Sequence, residues 1–487
     1  MKTARVILGA PEGPPFKGAP AIINHLLNRS LRDLGFELSC SYGWRKRLPD
    51  IVDLLPLPVV QRVLRMQSDP IFDLEIRCDG SLGLFPLLPR EGQKNVVFFH
   101  GLAGSPGQWI GNEAIDGYWC NSEYMVRVLT SFLAAPNWDQ GRLLDPRAFS
   151  MAGSITLPLP LLELPEELVA GGQEEIPRAA LEAMEGNDLL GCCVSEKLDD
   201  KSTYGILLTL NQMALQSGLG RRFRLFVEQY LYNGIKSVLE SVTPGDTFLQ
   251  FQPLKNALEQ LHLSIDDILI PIPRLAQTSL FKVVKACKFS LLYHWVPDSF
   301  GLFPLELVCQ GCPVYTNGAG NLRYLVPEGH GISVLDTEGM AFGDLREYQK
   351  VAQKIFHDTV IDHAPIREAC SRGAEYVSRT YNREAMRRDL EIQLKKLDEP
   401  PAETELNSAI LGLSPLVRSW NPKTRRLLSD YQHLELTPEE AGLLEEILGQ
   451  RCADLDCTTN AASRESVDRL FQQGVLTLLP PAFPSQG

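Results

Sequence analysis

No stretch of this 487-residue chain approaches the roughly 20 consecutive apolar residues that cross a bilayer, so no membrane-spanning helix is expected. The opening residues Met1-Lys2-Thr3-Ala4-Arg5-Val6-Ile7-Leu8 pass straight into a strand pattern, without the apolar core or small-residue cleavage site of a secretory signal. A cytoplasmic protein is expected. Positive charge is in deficit, with 60 acidic side chains against 47 basic ones and a net charge of −13. That balance argues against a nonspecific grip on nucleic acid or anionic lipid. Zinc-type cysteine spacing is missing as well. Cys309 and Cys312 are a lone pair with no second pair, and Cys452-x4-Cys457 has no histidine nearby, so no metal site is expected. The eleven cysteines are scattered, many in apolar runs as at Cys192-Cys193 and Cys287, which is reduced, core-type usage.

The length suits two or three domains, each large enough for its own core. Apolar strands alternate with amphipathic helices, which predicts α/β domains with parallel sheets covered on both faces. The first unit is a strand at Arg5–Gly9 and a helix over 20–34, with Ile22, Ile23, Leu26, Leu27 and Leu31 on one face and Gly35 as its stop. Strands follow at 36–42, 95–99, 117–121 and 154–157; residues 45–89 are expected to hold helices at the sheet edge. Prolines, glycines and acids cluster over 158–177, which predicts a hinge. A second series has strands at 189–194, 223–227, 247–251, 267–272, 289–295, 313–316 and 331–335, then charged helices to residue 398. The expected division is 1–157, a linker at 158–185, 186–399, and 400–487.

The most informative stretch is Pro297-Asp298-Ser299-Phe300-Gly301-Leu302-Phe303-Pro304-Leu305-Glu306, followed by Gly311-Cys312-Pro313-Val314. It sets two carboxylates eight residues apart across the start of a helix, directly after an apolar strand. A strand entering a helix through a glycine leaves free N–H groups at the helix start, which favours a diphosphate. A carboxylate one turn into the helix is suited to ribose hydroxyls, and one just ahead of it to another hydroxylated group. Together these features predict a nucleotide-sugar pocket.

The pattern resembles the E-x7-E signature of retaining glycosyltransferases of the GT-B fold, family-4 type (glycosyl transferases group 1), whose consensus runs roughly E-G-F-G-L-x-x-x-E and then G-x-P-V. Asp298 stands for the first glutamate and Ser299 for its glycine. Over residues 1–395 further positions agree. Pro14-Pro15-Phe16-Lys17-Gly18 resembles the P-P-x-x-G-G loop, with Ala19 at the second glycine. His100 matches a histidine after the fourth strand that touches the transferred sugar. Trp119-Cys120-Asn121-Ser122-Glu123 is similar to the family's strand-to-helix turn with a capping serine. Lys201 matches the lysine of G-R-L-x-x-x-K; Glu196 falls on the arginine unless a one-residue slip brings Lys197 there. Gly318-Ala319-Gly320-Asn321-Leu322 resembles the G-G-x-x-E loop, with Arg323 where an acid is common.

The resemblance implies two Rossmann-like domains facing a cleft, and sugar transfer from a nucleoside diphosphate donor with retention of configuration. It implies no metal and no cofactor beyond the donor. The roles it implies are His100 and Asp298 at the sugar and Glu306 at the ribose. Gly18, Lys197, Lys201, Phe300, Gly301, Leu302, Gly320, Asn321 and Arg323 would line the donor. The departures at Glu196, Asp298 and Arg323 keep open a scaffold that has lost catalysis and acts as a binding or regulatory subunit. A nucleotide-sugar epimerase is a further alternative.

Beyond residue 400 the pattern changes. Residues 416–420 and 426–428 read as a β-hairpin around Asn421-Pro422-Lys423-Thr424. Thr437-Pro438-Glu439-Glu440 is a capping box that opens a helix, a second helix spans 463–473, and 474–479 is a strand. This order is similar to a small winged-helix module of the PqqD-like kind, which implies a peptide or protein acceptor bound by strand addition. A docking or dimerisation module is the alternative. The tail's acidic balance argues against DNA.

Overall fold

The computed structural model describes residues 2–8, 19–42, 70–78, 89–101, 112–133, 136–137, 142–143, 152–157, 175–195, 198–241, 251–337, 345–400, 409–430, 432–451 and 461–479. The chain divides into two compact units, Met1–Glu163 with Tyr381–Gly487, and Leu164–Thr380. Among the described residues no helix is long and apolar enough to cross a membrane.

The first unit is built on a parallel six-stranded sheet. Its strands are β1 (Lys2–Leu8), β2 (Phe36–Tyr42), β3 (Leu74–Cys78), β4 (Lys94–Phe99), β5 (Gly117–Cys120) and β8 (Ala152–Ser154); β6 (Pro136–Asn137) and β7 (Arg142–Leu143) form a separate ribbon. The order across the sheet is β2-β1-β3-β4-β5-β8. The helix Ala19–Asp33 buries Ile22, Ile23, Leu26, Leu27 and Leu31 as its periodicity predicts. Ser122 Oγ accepts from the Met125 amide at 3.2 Å and caps the helix Glu123–Leu133.

The segment 45–89 departs from expectation. Its described part contains β3, which pairs with β1 on one side and β4 on the other, so it is a central strand and not an edge decoration. The sequence Leu-Glu-Ile-Arg-Cys hides this, because two of its five buried residues are charged. Their charges are matched inside the sheet: Glu75 accepts from Arg5 Nε and from Arg77 Nε, each at 2.9 Å. Burial without such pairing would be costly.

The helix Arg383–Lys396 belongs to this first unit. Arg383 pairs with Asp33, and Asp389 Oδ2 accepts from the Thr156 amide at 3.1 Å. The side chains of Gln393 and Leu397 fill the space above Gly153 and Gly117. The tail packs in the same unit around its own apolar core. Its three-stranded antiparallel sheet is β16 (Val417–Asn421), β17 (Arg426–Ser429) and β18 (His433–Glu435). The strand β15 (Ile410–Leu413), absent from the sequence reading, pairs antiparallel with β19 (Leu476–Leu479). The tail's described helices include Pro438–Ile447, opened by the Thr437/Glu440 capping box, and Ala461–Gln472. Tyr124 Oη donates to Asp430 Oδ2 at 2.9 Å, the Ser131 and Thr477 hydroxyls are hydrogen-bonded, and helix Glu123–Leu133 lies against β19.

The second unit repeats the parallel theme with β9 (Leu189–Cys193), β10 (Phe223–Glu228), β11 (Leu269–Ile272), β12 (Phe289–Leu292), β13 (Val314–Thr316) and β14 (Ile332–Val334). Their order, β11-β10-β9-β12-β13-β14, reverses direction between β9 and β12. In open parallel sheets that reversal leaves a crevice at the carboxyl ends of the two strands. The stretch read as a strand over 267–272 begins as the short helix Ile265–Ile268, held by a Ser264/Asp267 capping box. Residues 247–250 of another expected strand, and 158–174 of the expected hinge, lie outside the described residues.

Candidate functional site

The crevice between β9 and β12 collects most of the predicted residues of the second unit. Each central strand is wholly buried, so polar side chains come from the segments that follow it. After β9 these are Ser195 and 198–201; after β12, His294 to Leu302. The two segments are joined: the Asp199 amide donates to the Tyr293 carbonyl at 2.6 Å, and Leu198 bridges His294 in antiparallel fashion.

The turn into helix Leu302–Cys309 passes through Gly301 at φ 92° and ψ 68°. A Cβ there would meet Leu322 at 2.9 Å, so glycine serves both the backbone angle and the close approach. No side chain caps this helix, and Pro304 removes one donor from its first turn. Phe300 is buried, and its carbonyl accepts from Asn321 Nδ2 at 2.8 Å. Asn321 therefore pins the turn with its side chain. Its amide also donates to the Asp298 carbonyl at 2.7 Å, and Asp298 and Gly320 form a parallel bridge. Arg323 follows, with its guanidinium 5.3 Å from the centre of the Tyr324 ring.

Glu306 lies within the same helix and is almost wholly buried. Burial pushes its carboxyl up to about 7, while a 2.6 Å hydrogen bond donated by Gln277 Nε2 opposes the shift. Lys201 sits in the first turn of helix Asp200–Gln216 beside two acids. Asp199 Oδ2 accepts from Ser202 Oγ at 2.6 Å. Asp200 is raised to about 6, first by burial and then by its neighbour Asp199. Gly18 and Lys197, with Glu196, lie outside the described residues.

His100 belongs to the first unit, where it follows β4. Its ring is buried against Phe98, 4.5 Å between centroids, and its carbonyl accepts from Asn121 Nδ2 at 3.1 Å. Burial lowers its pKa to about 3, so the imidazole is neutral at physiological pH.

Three polar residues of the crevice escaped the sequence reading: Ser195, His294 and Asn317. His294 Nε2 is 2.9 Å from Ser195 Oγ, and His294 Nδ1 is 3.1 Å from Asp298 Oδ2. The only advance signal was position, since all three follow central strands. A cavity of about 430 Å3 elsewhere in this unit, between helices Asp200–Gln216 and Gln252–Gln260, includes none of the predicted residues. Among the described residues no cluster of three or more His, Cys, Asp or Glu side chains is placed to hold a metal ion.

No protein-family model and no curated protein matches the chain. Solved structures do. The N-terminal domain of trehalose-6-phosphate phosphatase from Candida albicans is similar over 81% of this chain and 97% of its own, with a TM-score of 0.50 and 10% identity. Sucrose-phosphate synthase from Thermosynechococcus elongatus is similar over 82% and 99%, with a TM-score of 0.48 and 13% identity. Anabaena HepE, solved with UDP and glucose, is similar over 81% and 100%, with a TM-score of 0.48 and 13% identity. At these identities the likeness is one of fold. The chain carries two parallel, Rossmann-like α/β domains of the GT-B kind.

Proposed function

We propose that the chain is a glycosyltransferase that moves a sugar from a nucleoside diphosphate donor to an acceptor with retention of configuration. One observation carries the reading: the uncapped start of helix Leu302–Cys309 stands at the strand-order reversal, with Asp298 before it and buried Glu306 within it. Helix N-terminal amides suit a diphosphate, a buried carboxylate suits a ribose diol, and the reversal is where ligands enter such sheets. On this reading Lys201, with Lys197 and Arg323, neutralises the leaving diphosphate, and the amides of Phe300, Gly301 and Leu302 face it. Asp298 addresses the sugar, and the Gly320-Asn321 loop shapes the donor site. Electrostatic stabilisation and positioning supply the acceleration, without a metal. The acceptor is a peptide or protein segment that adds to a sheet edge of the tail, and the reaction takes place in the cytoplasm.

Asp199 and Asp200 beside Lys201 favour a second reading, a GT-B scaffold that binds without catalysing, because two acids at the helix start oppose a phosphate. A thermal-shift screen against uridine, guanosine, adenosine and thymidine diphosphates and their sugar conjugates tests both. A ligand at 100 times its Kd adds about 2.7 kcal/mol to native stability. One nucleotide and its sugar should stand out, and incubation with that sugar donor should release the nucleotide. Binding without release supports the silent scaffold; no binding removes the nucleotide-sugar site. Turnover of the donor into an isomeric donor, with no nucleotide released, identifies an epimerase.

A further inference from the structure

The three residues missed by sequence reasoning form a row with Asp298 that crosses the strand-order reversal. Ser195 follows β9, and His294 and Asp298 follow β12. The imidazole is hydrogen-bonded on one edge, to Ser195, and meets the Asp298 carboxylate as a close contact on the other. Both its nitrogens lie near an oxygen, Ser195 Oγ at 2.9 Å and Asp298 Oδ2 at 3.1 Å. Its main chain is clasped by one carboxamide: the His294 amide donates to Asn317 Oδ1 at 3.3 Å, and Asn317 Nδ2 donates to the His294 carbonyl at 2.8 Å. The bridge from Leu198 adds a third hold, and His294 is only 4% exposed. A carboxylate beside Nδ1 favours the proton on that nitrogen, which leaves Nε2 to accept from the Ser195 hydroxyl.

We infer that His294 is a positioning residue of the proposed transfer: it fixes the Asp298 carboxylate and the Ser195 hydroxyl as one rigid unit facing the donor from both sides of the reversal. The inference rests on the reading of this crevice as a nucleotide-sugar site. Aspartate is one methylene shorter than the glutamate of the signature it resembles, so its carboxylate reaches less far and has fewer settings that meet a sugar hydroxyl. An imidazole clamped at backbone and ring selects one setting in advance, so the side chain is not ordered at the moment of reaction. Nucleotide binding does not pass through the row, because Glu306 and the start of helix Leu302–Cys309 would hold that part. The structure therefore separates a kcat role from an affinity role.

The test uses the full chain with UDP, GDP, ADP and TDP and their glucose conjugates, and reads two quantities: the Kd of the diphosphate and kcat for its release from the sugar donor. Misplacement of a reacting group by about 1 Å costs on the order of 100-fold, so His294→Ala is expected to lower kcat about 100-fold while Kd stays within about threefold. His294→Gln can offer an N–H to Asp298 and a carbonyl to Ser195, and should recover to within about tenfold of the wild type. Ser195→Ala removes only the far end of the row and should cost about tenfold in kcat with an unchanged melting temperature; it serves in place of His294→Ala if that variant does not fold. A wild type that releases nucleotide alongside an unimpaired His294→Ala overturns the inference and leaves the glycosyltransferase reading intact. So does a loss of kcat matched by an equal loss of affinity, which marks a general structural role. A wild type that neither binds nor turns over any of the probes removes both.

Discussion

Asp298 and Gly320 are joined by a parallel bridge so close that a side chain on Gly320 would occupy the space of the Asp298 main chain. Gly320 has φ 64° and ψ −132°, a backbone conformation that side chains disfavour. Gly320→Ala should therefore destabilise the protein by about 2 to 4 kcal/mol, through backbone strain and overpacking together. Because the Asp298 main chain must shift to make room, and with it the turn that sets the start of helix Leu302–Cys309, the same variant should lose the thermal response to a sugar donor. Urea denaturation and thermal shift measure the two effects. A variant that keeps both stability and donor response would dissociate the bridge from the site.

Glu306 gives a pH dependence of definite sign. The folded protein keeps its proton up to about 7 because the carboxyl is buried, whereas an unfolded chain releases it near the usual 4.5. Between those values the folded state binds more protons, so this group's contribution to stability falls as pH rises through the window. Glu306→Gln should abolish that fall and gain on the order of 3 kcal/mol over the wild type above pH 7. If ribose hydroxyls donate to the carboxylate, nucleotide binding favours its ionised form. Wild-type affinity should then increase from pH 5.5 to 8, and that of Glu306→Gln should lack this increase. Parallel affinity profiles for the two proteins would remove Glu306 from the ribose.

His100 acts in the opposite sense. Its buried ring is neutral down to about pH 3, while an unfolded histidine takes up a proton near 6.5. Over that interval the unfolded state binds more protons, so stability present above pH 6.5 is lost as the solution is acidified. A His100→Gln variant should lose less stability than the wild type between pH 7 and 4.5, as measured by melting at each pH. An equal loss in both proteins would show that the ring is protonated, and so hydrated, in the folded state.

The tail is held to the first sheet domain in part by Tyr124 and Asp430, both buried. Tyr124→Phe deletes a hydrogen bond to a buried carboxylate and should cost about 1 to 3 kcal/mol. Removing residues 401–487 should lower the melting temperature further, because the face of helix Glu123–Leu133 that meets β19 becomes exposed. Equal melting of the truncated and full chains would show that the tail contributes nothing to the unit it packs on.

Periodicity located most elements because it reports burial directly. The predominantly apolar β9, β12 and β13, and the stripe of Ile22, Leu26 and Leu27, are buried as their patterns predict. It failed at β3, whose Glu75 and Arg77 look solvated in sequence and are buried only because Arg5 of β1 completes their ion pairs. It failed again at β15, where Ile-Leu-Gly-Leu is too short to declare its partner β19, some 65 residues further on.

The candidate site divides along the same line. Local chemistry in the sequence determined the strand, the glycine turn, and the helix with carboxylates at 298 and 306, since each depends on residues within one or two turns of chain. Only the tertiary structure decided that Ser195, Asn317 and Asp298 meet at His294 and that Gly320 bridges Asp298. They come from the ends of three strands, and the crossover connections that bring parallel strands side by side leave no trace in spacing. Burial of Glu306 and of His100 was decided in the same way. Whether a carboxyl titrates near 4.5 or near 7 depends on how much water the surrounding fold excludes, and no single segment of chain sets that.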